Sequence, residues 1–242
     1  MAHFYLNELL GTTEPGSRVT LEGSEARHAV SVSRIKVGDS LRIGNGSGLT
    51  VTGTVEAAAP AELTLLVESV DVTPAASPAI WLAQALAKGD RDELAVQAAT
   101  ELGVDGVIPW AAQRSIVKWE GAKVRKGHDR WSAIVREASK QSIRPWIPEV
   151  GDLATTKILC SLAEQARMLV LDPQADTPLS QLRPDGRDVV LVVGPEGGVS
   201  DSELEQLVRS GAEPVSLGSP ILRTSTAGPA AIAVLNTALG RW

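Results

Sequence analysis

Two stretches without a single polar residue, 168–171 (MLVL) and Val189–Val193 (VVLVV), constrain the chain more than any other feature. A strand with one solvated face alternates apolar and polar residues. A strand that does not alternate must be covered on both faces, as in a parallel sheet flanked by helices. The segments around these runs supply such helices. Ser200 and Glu203 have the spacing of a capping box and precede Leu204, Leu207 and Val208, with Gly211 as the stop. Asp90 and Glu93 have the same spacing before Leu94, Ala98 and Leu102. Trp131, Ile134, Val135 and Ala138 share a helical face. Residues 80–86, 107–110 and 215–217 read as further short strands. Residues 227–239 read as an Ala-rich closing helix with Pro229 in its first turn. The βα alternation from residue 78 onward predicts a mostly parallel α/β sheet covered on both faces.

The first 72 residues have a different texture. Strand-like runs at 18–21, 40–43, 49–55 and 63–70 include strict alternation in Leu49-Thr50-Val51-Thr52-Gly53-Thr54-Val55. Gly44-Asn45-Gly46-Ser47-Gly48 lies between two of them as a tight β-turn. It does not open a helix, so it is no dinucleotide fingerprint. Residues 73–78 (TPAASP) read as a linker. The expected organisation is a small β-barrel over 1–73 and an α/β domain over 74–242.

Several function classes fall away on counts. Cysteine occurs once, at Cys160, so neither a disulfide framework nor a zinc ribbon is available. His3, His28 and His128 are widely separated, and no metal site is expected. No signal peptide or membrane helix is visible, so a soluble cytoplasmic protein without a membrane partner is the expectation. The net charge of -6 argues against nucleic acid, but it is unevenly distributed. Residues 114–144 carry Arg114, Lys118, Lys123, Arg125, Lys126, Arg130, Arg136, Lys140 and Arg144 against Glu120, Asp129 and Glu137, a local +6. Such a field can hold phosphates on an acidic protein, or it can be a solvated helix face. Trp119 and Trp146 lie within it as candidates for stacking on bases, whereas Trp131 belongs to an apolar face. Cys160 reads as packing.

Ligands of open α/β sheets bind beyond the carboxyl ends of strands, and three strand ends are unusual. Gly194-Pro195-Glu196-Gly197-Gly198 follows Val189–Val193, with three glycines that let backbone approach a ligand. No Lys-Ser or Lys-Thr follows, so it is no Walker loop. Leu217-Gly218-Ser219-Pro220-Ile221-Leu222-Arg223-Thr224 offers apolar groups and backbone amides suited to an adenine ring, then an arginine ahead of a helix. Leu171-Asp172-Pro173 is the third.

GPEGG followed some twenty residues later by LGSPILRT resembles the RsmE family of ribosomal RNA uridine-N3 methyltransferases. Lys88-Gly89-Asp90, Glu101-Leu102-Gly103-Val104, Pro109, Arg114-Ser115, Glu137-Ala138, Gln141, Arg144 and Pro148-Glu149-Val150 fit that pattern in order and spacing. So do His28, Arg34, Gly38-Asp39 and Gly46. The resemblance implies a PUA-like first domain, a SPOUT trefoil-knotted second domain and a homodimer. It further implies S-adenosyl-L-methionine as cofactor and 16S ribosomal RNA, within an assembled small subunit, as partner. The cofactor residues it implies are Leu171, Gly194, Pro195, Glu196, Gly197, Leu217, Gly218, Ile221 and Leu222. Arg223 is the expected catalytic residue, and Arg34, Arg114, Lys118, Arg136 and Arg144 the RNA-binding ones. Ser225 stands where the family has glutamate, so no carboxylate is named there; Ser33 and Asn45 are lesser departures. A catalytically silent RNA-binding protein on the same scaffold is the alternative, and an unrelated dehydrogenase is disfavoured by the absence of GxGxxG after the first strand of the second domain.

Overall fold

The computed structural model describes residues 4–242, so His3 lies outside the described residues. The chain divides into two compact units, one comprising 1–75 together with Ser139–Ile147, the other Ala76–Ala138 together with Pro148–Trp242. The first therefore takes in a nine-residue segment from within the 74–242 range read as the second domain.

The first unit is a five-stranded sheet in the order β1 (Phe4–Leu6), β3 (Ser40–Gly44), β4 (Leu49–Ala59), β5 (Glu62–Val72), β2 (Arg18–Glu22). Only the β1–β3 pair is parallel. Register shifts between β4 and β5 at Thr52/Gly53 and Val55/Ala57 bend the sheet. The side-chain amide of Asn7, just past β1, donates to the carbonyl of Thr20 on β2, so the two ends of the strand order meet. The alternation read at 49–55 is real: Val51, Gly53 and Val55 are buried and the threonines between them half-buried. These valines join Leu21, Ile43, Leu63 and Leu65 in one core. A short helix, α1 (Gly23–Arg27), runs into a π-helical turn over His28–Val32, and the exposed His28 ring meets Tyr5 edge-on at 6.0 Å. Lys140 and Glu25 form a buried ion pair at 2.9 Å.

The second unit is a six-stranded sheet in the order β11 (Glu213–Val215), β9 (Arg167–Leu171), β10 (Val189–Val193), β6 (Ile80–Ala85), β7 (Gly106–Trp110), β8 (Glu149–Val150). Every neighbouring pair is parallel, as the apolar runs require. All five residues of β10 are buried. The helices are α2 (Arg91–Glu101), α3 (Ala122–Gln141), α4 (Thr156–Leu162), α5 (Asp201–Arg209) and α6 (Thr224–Ala238). α3 begins in the second unit and ends in the first. Trp131 is 1% exposed, and Cys160 is free and half-buried beside the core.

The capping box at Ser200 and Glu203 is formed in full. The one read at Asp90 and Glu93 is not. Asp90 sits at φ +57, in the left-handed region, and its side chain makes no cap. Glu93 turns to Arg130 instead, accepting two hydrogen bonds at 3.0 and 2.8 Å. Asp92 receives the amides of Ala87 and Glu93; burial outweighs these bonds and pushes its carboxyl above the ordinary range. The buried face of α2 is accordingly Ala95, Val96 and Ala99, while Leu94 is 55% exposed. β11 ends at Val215, two residues before the strand end read at Leu217. α6 starts at Thr224, so Pro229 falls inside it rather than in its first turn. Its missing N–H removes the bond that the Ser225 carbonyl would accept.

Candidate active site

The three strand ends singled out in the sequence converge on one cavity of about 870 Å³ at the carboxyl edge of the parallel sheet. β9 delivers Leu171, Asp172 and Pro173; β10 delivers Gly194 through Gly198; β11 leads into Leu217 through Thr224. All nine expected cofactor residues line it, as do Arg223 and Arg114. They come together because β9 lies between β10 and β11, so loops far apart in sequence leave the sheet side by side.

Its walls are held by specific bonds. The Thr224 hydroxyl donates to the Gly194 carbonyl at 2.8 Å and accepts from the Gln84 side-chain amide at 2.8 Å. That chain joins the start of α6 to the end of β10 and thereby fixes the residue next to Arg223. Gln84 is fully buried, and its Oε1 has no hydrogen-bond partner among the described residues. Arg114 donates from Nη1 to the carbonyls of Gly197 and Val199 at 3.2 and 3.1 Å, clamping the glycine-rich loop. Glu196 accepts from the Lys88 amide at 3.0 Å and from Arg91 at 2.9 Å. Burial opposes the Glu196 charge, but its own amide, the Lys88 amide and Arg91 together outweigh it and hold the carboxyl below its ordinary value. Glu203, 4% exposed, receives the Gln113 amide and the Thr156 hydroxyl at 2.8 and 2.9 Å, so the stem of α5 is fixed as well.

The cavity has what an adenosine-bearing ligand needs. Ile221 and Leu222 are exposed, at 81% and 37%, and both line the cavity. Among the described residues, the amides of Leu217, Gly218, Ile221 and Leu222 have no hydrogen-bond partner. Apolar side chains beside unpaired backbone donors match a flat heteroaromatic ring with polar edges. Gly218, at φ +104, allows the loop its turn. A Cβ on Gly194 would lie 2.9 Å from the Val199 amide nitrogen, and one on Gly197 3.3 Å from Arg114 Cβ. These glycines are therefore needed first for the loop's own shape. Arg223 is exposed, and among the described residues its guanidinium has neither an ion pair nor a hydrogen bond. It is the residue at the head of α6, where its carbonyl accepts the amides of Thr226 and Ala227.

The basic segment is partly engaged internally. Arg114 holds the loop, Arg130 pairs with Glu93, Lys140 with Glu25 and Arg136 with Glu137. Lys118, Lys123 and Lys126 are exposed, without an ion pair among the described residues. Of the five expected RNA-binding residues, Arg114, Lys118 and Arg136 belong to the second unit, Arg34 and Arg144 to the first. Arg34 is exposed at φ +57. Trp146 is tied into the first unit, donating to the Thr73 carbonyl at 2.8 Å. Sequence reasoning missed Gln84 and Arg91, and it named Thr224 only as the last residue of the 217–224 stretch, with no role of its own. The Lys88-Gly89-Asp90 motif was the nearest signal to Arg91.

Comparison with known proteins identifies the family. Residues 75–236 match the family model of the RNA methyltransferase domain, and residues 21–68 that of the RNA methyltransferase PUA domain. The fold and site thus define an RNA methyltransferase. The ribosomal RNA small subunit methyltransferase E of Mycobacterium bovis is 37% identical over 99% of this chain and 92% of its own. That of Bacillus subtilis is 28% identical over 94% and 93%. The crystal structure of the ribosomal RNA small subunit methyltransferase E of Neisseria gonorrhoeae, bound to S-adenosyl methionine, superposes with a TM-score of 0.87 at 29% identity, covering 98% of both chains. The chain belongs to the ribosomal RNA small subunit methyltransferase E family.

Proposed function

We propose that the protein methylates N3 of a uridine in 16S ribosomal RNA, using S-adenosyl-L-methionine held in the 870 Å³ cavity. The observation that carries this reading is the convergence of Leu171, the Gly194–Gly198 loop and the Leu217–Leu222 loop on that one cavity. The relative from Neisseria gonorrhoeae, of the same fold, binds the same donor.

Bound S-adenosyl-L-methionine supplies a methyl group on a sulfonium, already activated for in-line displacement. The chain's part is therefore positioning and charge stabilisation. Leu171, Ile221 and Leu222 form the apolar slot, the amides of Leu217 and Gly218 meet polar edges, and Pro195, Glu196 and Gly197 close the opposite wall. Uridine N3 must lose its proton, which moves negative charge onto O2 and O4. The Arg223 guanidinium, without a partner among the described residues, is suited to meet that charge. N3 lies on the Watson–Crick edge, so the target base is unpaired or splayed out when it reacts. Arg34, Lys118, Arg136 and Arg144 hold the RNA, with Arg114 serving mainly the donor loop. The same reading includes the knotted threading of the second domain, a homodimer joined through that domain, an assembled small subunit as substrate and a cytoplasmic setting.

Two measurements test it. Nucleoside mass spectrometry of small-subunit RNA from cells lacking the protein should show loss of 3-methyluridine; an unchanged level contradicts the assignment. Arg223→Ala should keep donor affinity and lose about 10²- to 10³-fold in single-turnover rate. Arg223→Lys should recover part of it, since a point charge does not replace the planar fork. Unchanged turnover by the folded, donor-loaded alanine variant would remove Arg223 from the chemistry.

A further inference from the structure

A second hollow, of about 350 Å³, lies in the same compact unit as the cavity but is lined by other residues, among them Trp119, Val124, Arg125, His128 and Asp152. Residue 127 of α3 is a glycine, although glycine inside a helix costs roughly 1 kcal/mol relative to alanine. The reason is visible in the packing: a Cβ there would collide with the Trp119 indole, 2.5 Å from Cζ2 and 2.6 Å from Cδ2. Gly127 lets the indole lie close against α3. The buried Trp131 then meets it edge-on, with centroids 5.4 Å apart at 77°. The tryptophan is held rigidly yet remains only half-buried, which is the form of a stacking platform. His128 is fixed beside it by the hydrogen-bond contact of Nε2 with the Val150 carbonyl at 3.0 Å.

Charge identifies the class of ligand. Residues 118–126 carry Lys118, Lys123, Arg125 and Lys126 against the single carboxylate of Glu120. The Arg125 side chain is 90% exposed, and its ion pair with Asp129 is long, at 3.8 Å. A rigid aromatic face surrounded by loosely held cations is the arrangement that binds single-stranded nucleic acid, base on ring and phosphate on cation. The Asp152 carboxylate repels phosphate, so it is suited to the N–H groups of a base edge.

Topology separates this hollow from the reacting base. β8 is the edge strand of the parallel sheet, and the chain beyond it follows β7 until Ala154 pairs with Trp110. Asp152 therefore lies toward the carboxyl end of the sheet, the end on which the donor cavity opens. β10 and β8 are three strand spacings apart, roughly 15 Å. That is too far for the reacting base. We infer that the Trp119 hollow is a subsite for one flanking nucleotide of single-stranded RNA, stacked on the indole with its phosphate toward Arg125. The inference rests on the proposed RNA methyltransferase function and adds a grip outside the reaction centre.

The test uses the full chain and a fluorescently labelled single-stranded RNA eight-mer, titrated at two salt concentrations. Trp119→Ala should weaken binding by about 5- to 150-fold, and Trp119→Phe should retain most of the affinity. Arg125→Gln, which leaves the tryptophan packing intact, should lower the log–log salt slope by about one. A 4-thiouridine eight-mer should cross-link to the peptide containing Trp119. Unchanged affinity and slope in Arg125→Gln together with a cross-link elsewhere would overturn the subsite, even if Trp119→Ala failed to fold. So would a wild-type protein that does not bind the eight-mer. Donor binding, read separately by calorimetry, should be normal in every variant. A wild-type protein that binds RNA but not the donor would instead count against the proposed function.

Discussion

The two glycine-rich loops of this chain look alike in sequence, but only one of them borders the cavity. Gly44-Asn45-Gly46-Ser47-Gly48 and Gly194-Pro195-Glu196-Gly197-Gly198 each place three glycines in five residues at the end of a strand. In the first, the missing side chains make room for the protein's own atoms. A Cβ on Gly46 would lie 2.5 Å from Ile147 Cδ1, and one on Gly48 would collide with the Thr73 carbonyl and lie 2.8 Å from Trp146 Nε1. Asn45 closes that loop by accepting the amides of Ser47 and Leu49. In the second, groups from outside hold the loop by its backbone and its one carboxylate: the side chains of Arg114, Thr224 and Arg91 and the backbone amide of Lys88. Its inner surface borders the cavity. In both loops the glycines admit the protein's own atoms, Val199 and Arg114 in the second; the difference is that the second loop also borders a cavity.

The largest effect should come from closing the space in the first loop. Gly48→Ala combines a residue at φ +94 with a backbone collision. It should destabilise the first unit by about 2–4 kcal/mol, seen as a fall in melting temperature, while the folded protein keeps its donor affinity. Equal loss of donor binding would erase the distinction between the loops. Arg114→Ala should act on the other side of the comparison. Its two bonds to carbonyls come from a half-exposed guanidinium, so about 1 kcal/mol is expected. Donor affinity should drop by roughly five- to tenfold with little change in melting temperature; lost RNA binding with intact donor affinity would make Arg114 a phosphate ligand. The smallest effect concerns pH. The Glu196 carboxyl is held below its ordinary value. Its tie to Lys88 and Arg91 is therefore present above the ordinary carboxylate range and is lost as pH falls through the folded value. Donor affinity should weaken on the acid side, and Glu196→Gln should flatten that limb at a cost of a few-fold at neutral pH. An identical acid limb in the variant would assign it to another group.

The sequence was most informative where structure is local. The period-2 pattern of 49–55, the apolar run of β10 and the Ser200–Glu203 box depend on near neighbours, and each is formed. It misled where a distant partner intervened. Glu93 leaves its expected cap for Arg130, 37 residues away, and Asp90 adopts a left-handed conformation that no spacing rule anticipates. The cavity's wall residues were legible because glycine, proline and exposed apolar side chains stand at strand ends. Its supports were not: Gln84 meets Thr224 across 140 residues and Arg114 meets Gly197 across 83. The basic segment shows the same limit, since Lys140 counts toward its charge yet lies buried against Glu25.

The central claim is that the Gly194–Gly198 loop builds a donor site while the Gly44–Gly48 loop builds only structure. Calorimetric titration of the full chain with S-adenosyl-L-methionine tests it most directly, run on the wild type, Gly194→Val and Gly48→Ala below their melting temperatures. The account predicts one saturable site per chain in the wild type and in Gly48→Ala, and no measurable binding in Gly194→Val. The contradicting result is unchanged affinity in Gly194→Val, or binding lost in folded Gly48→Ala.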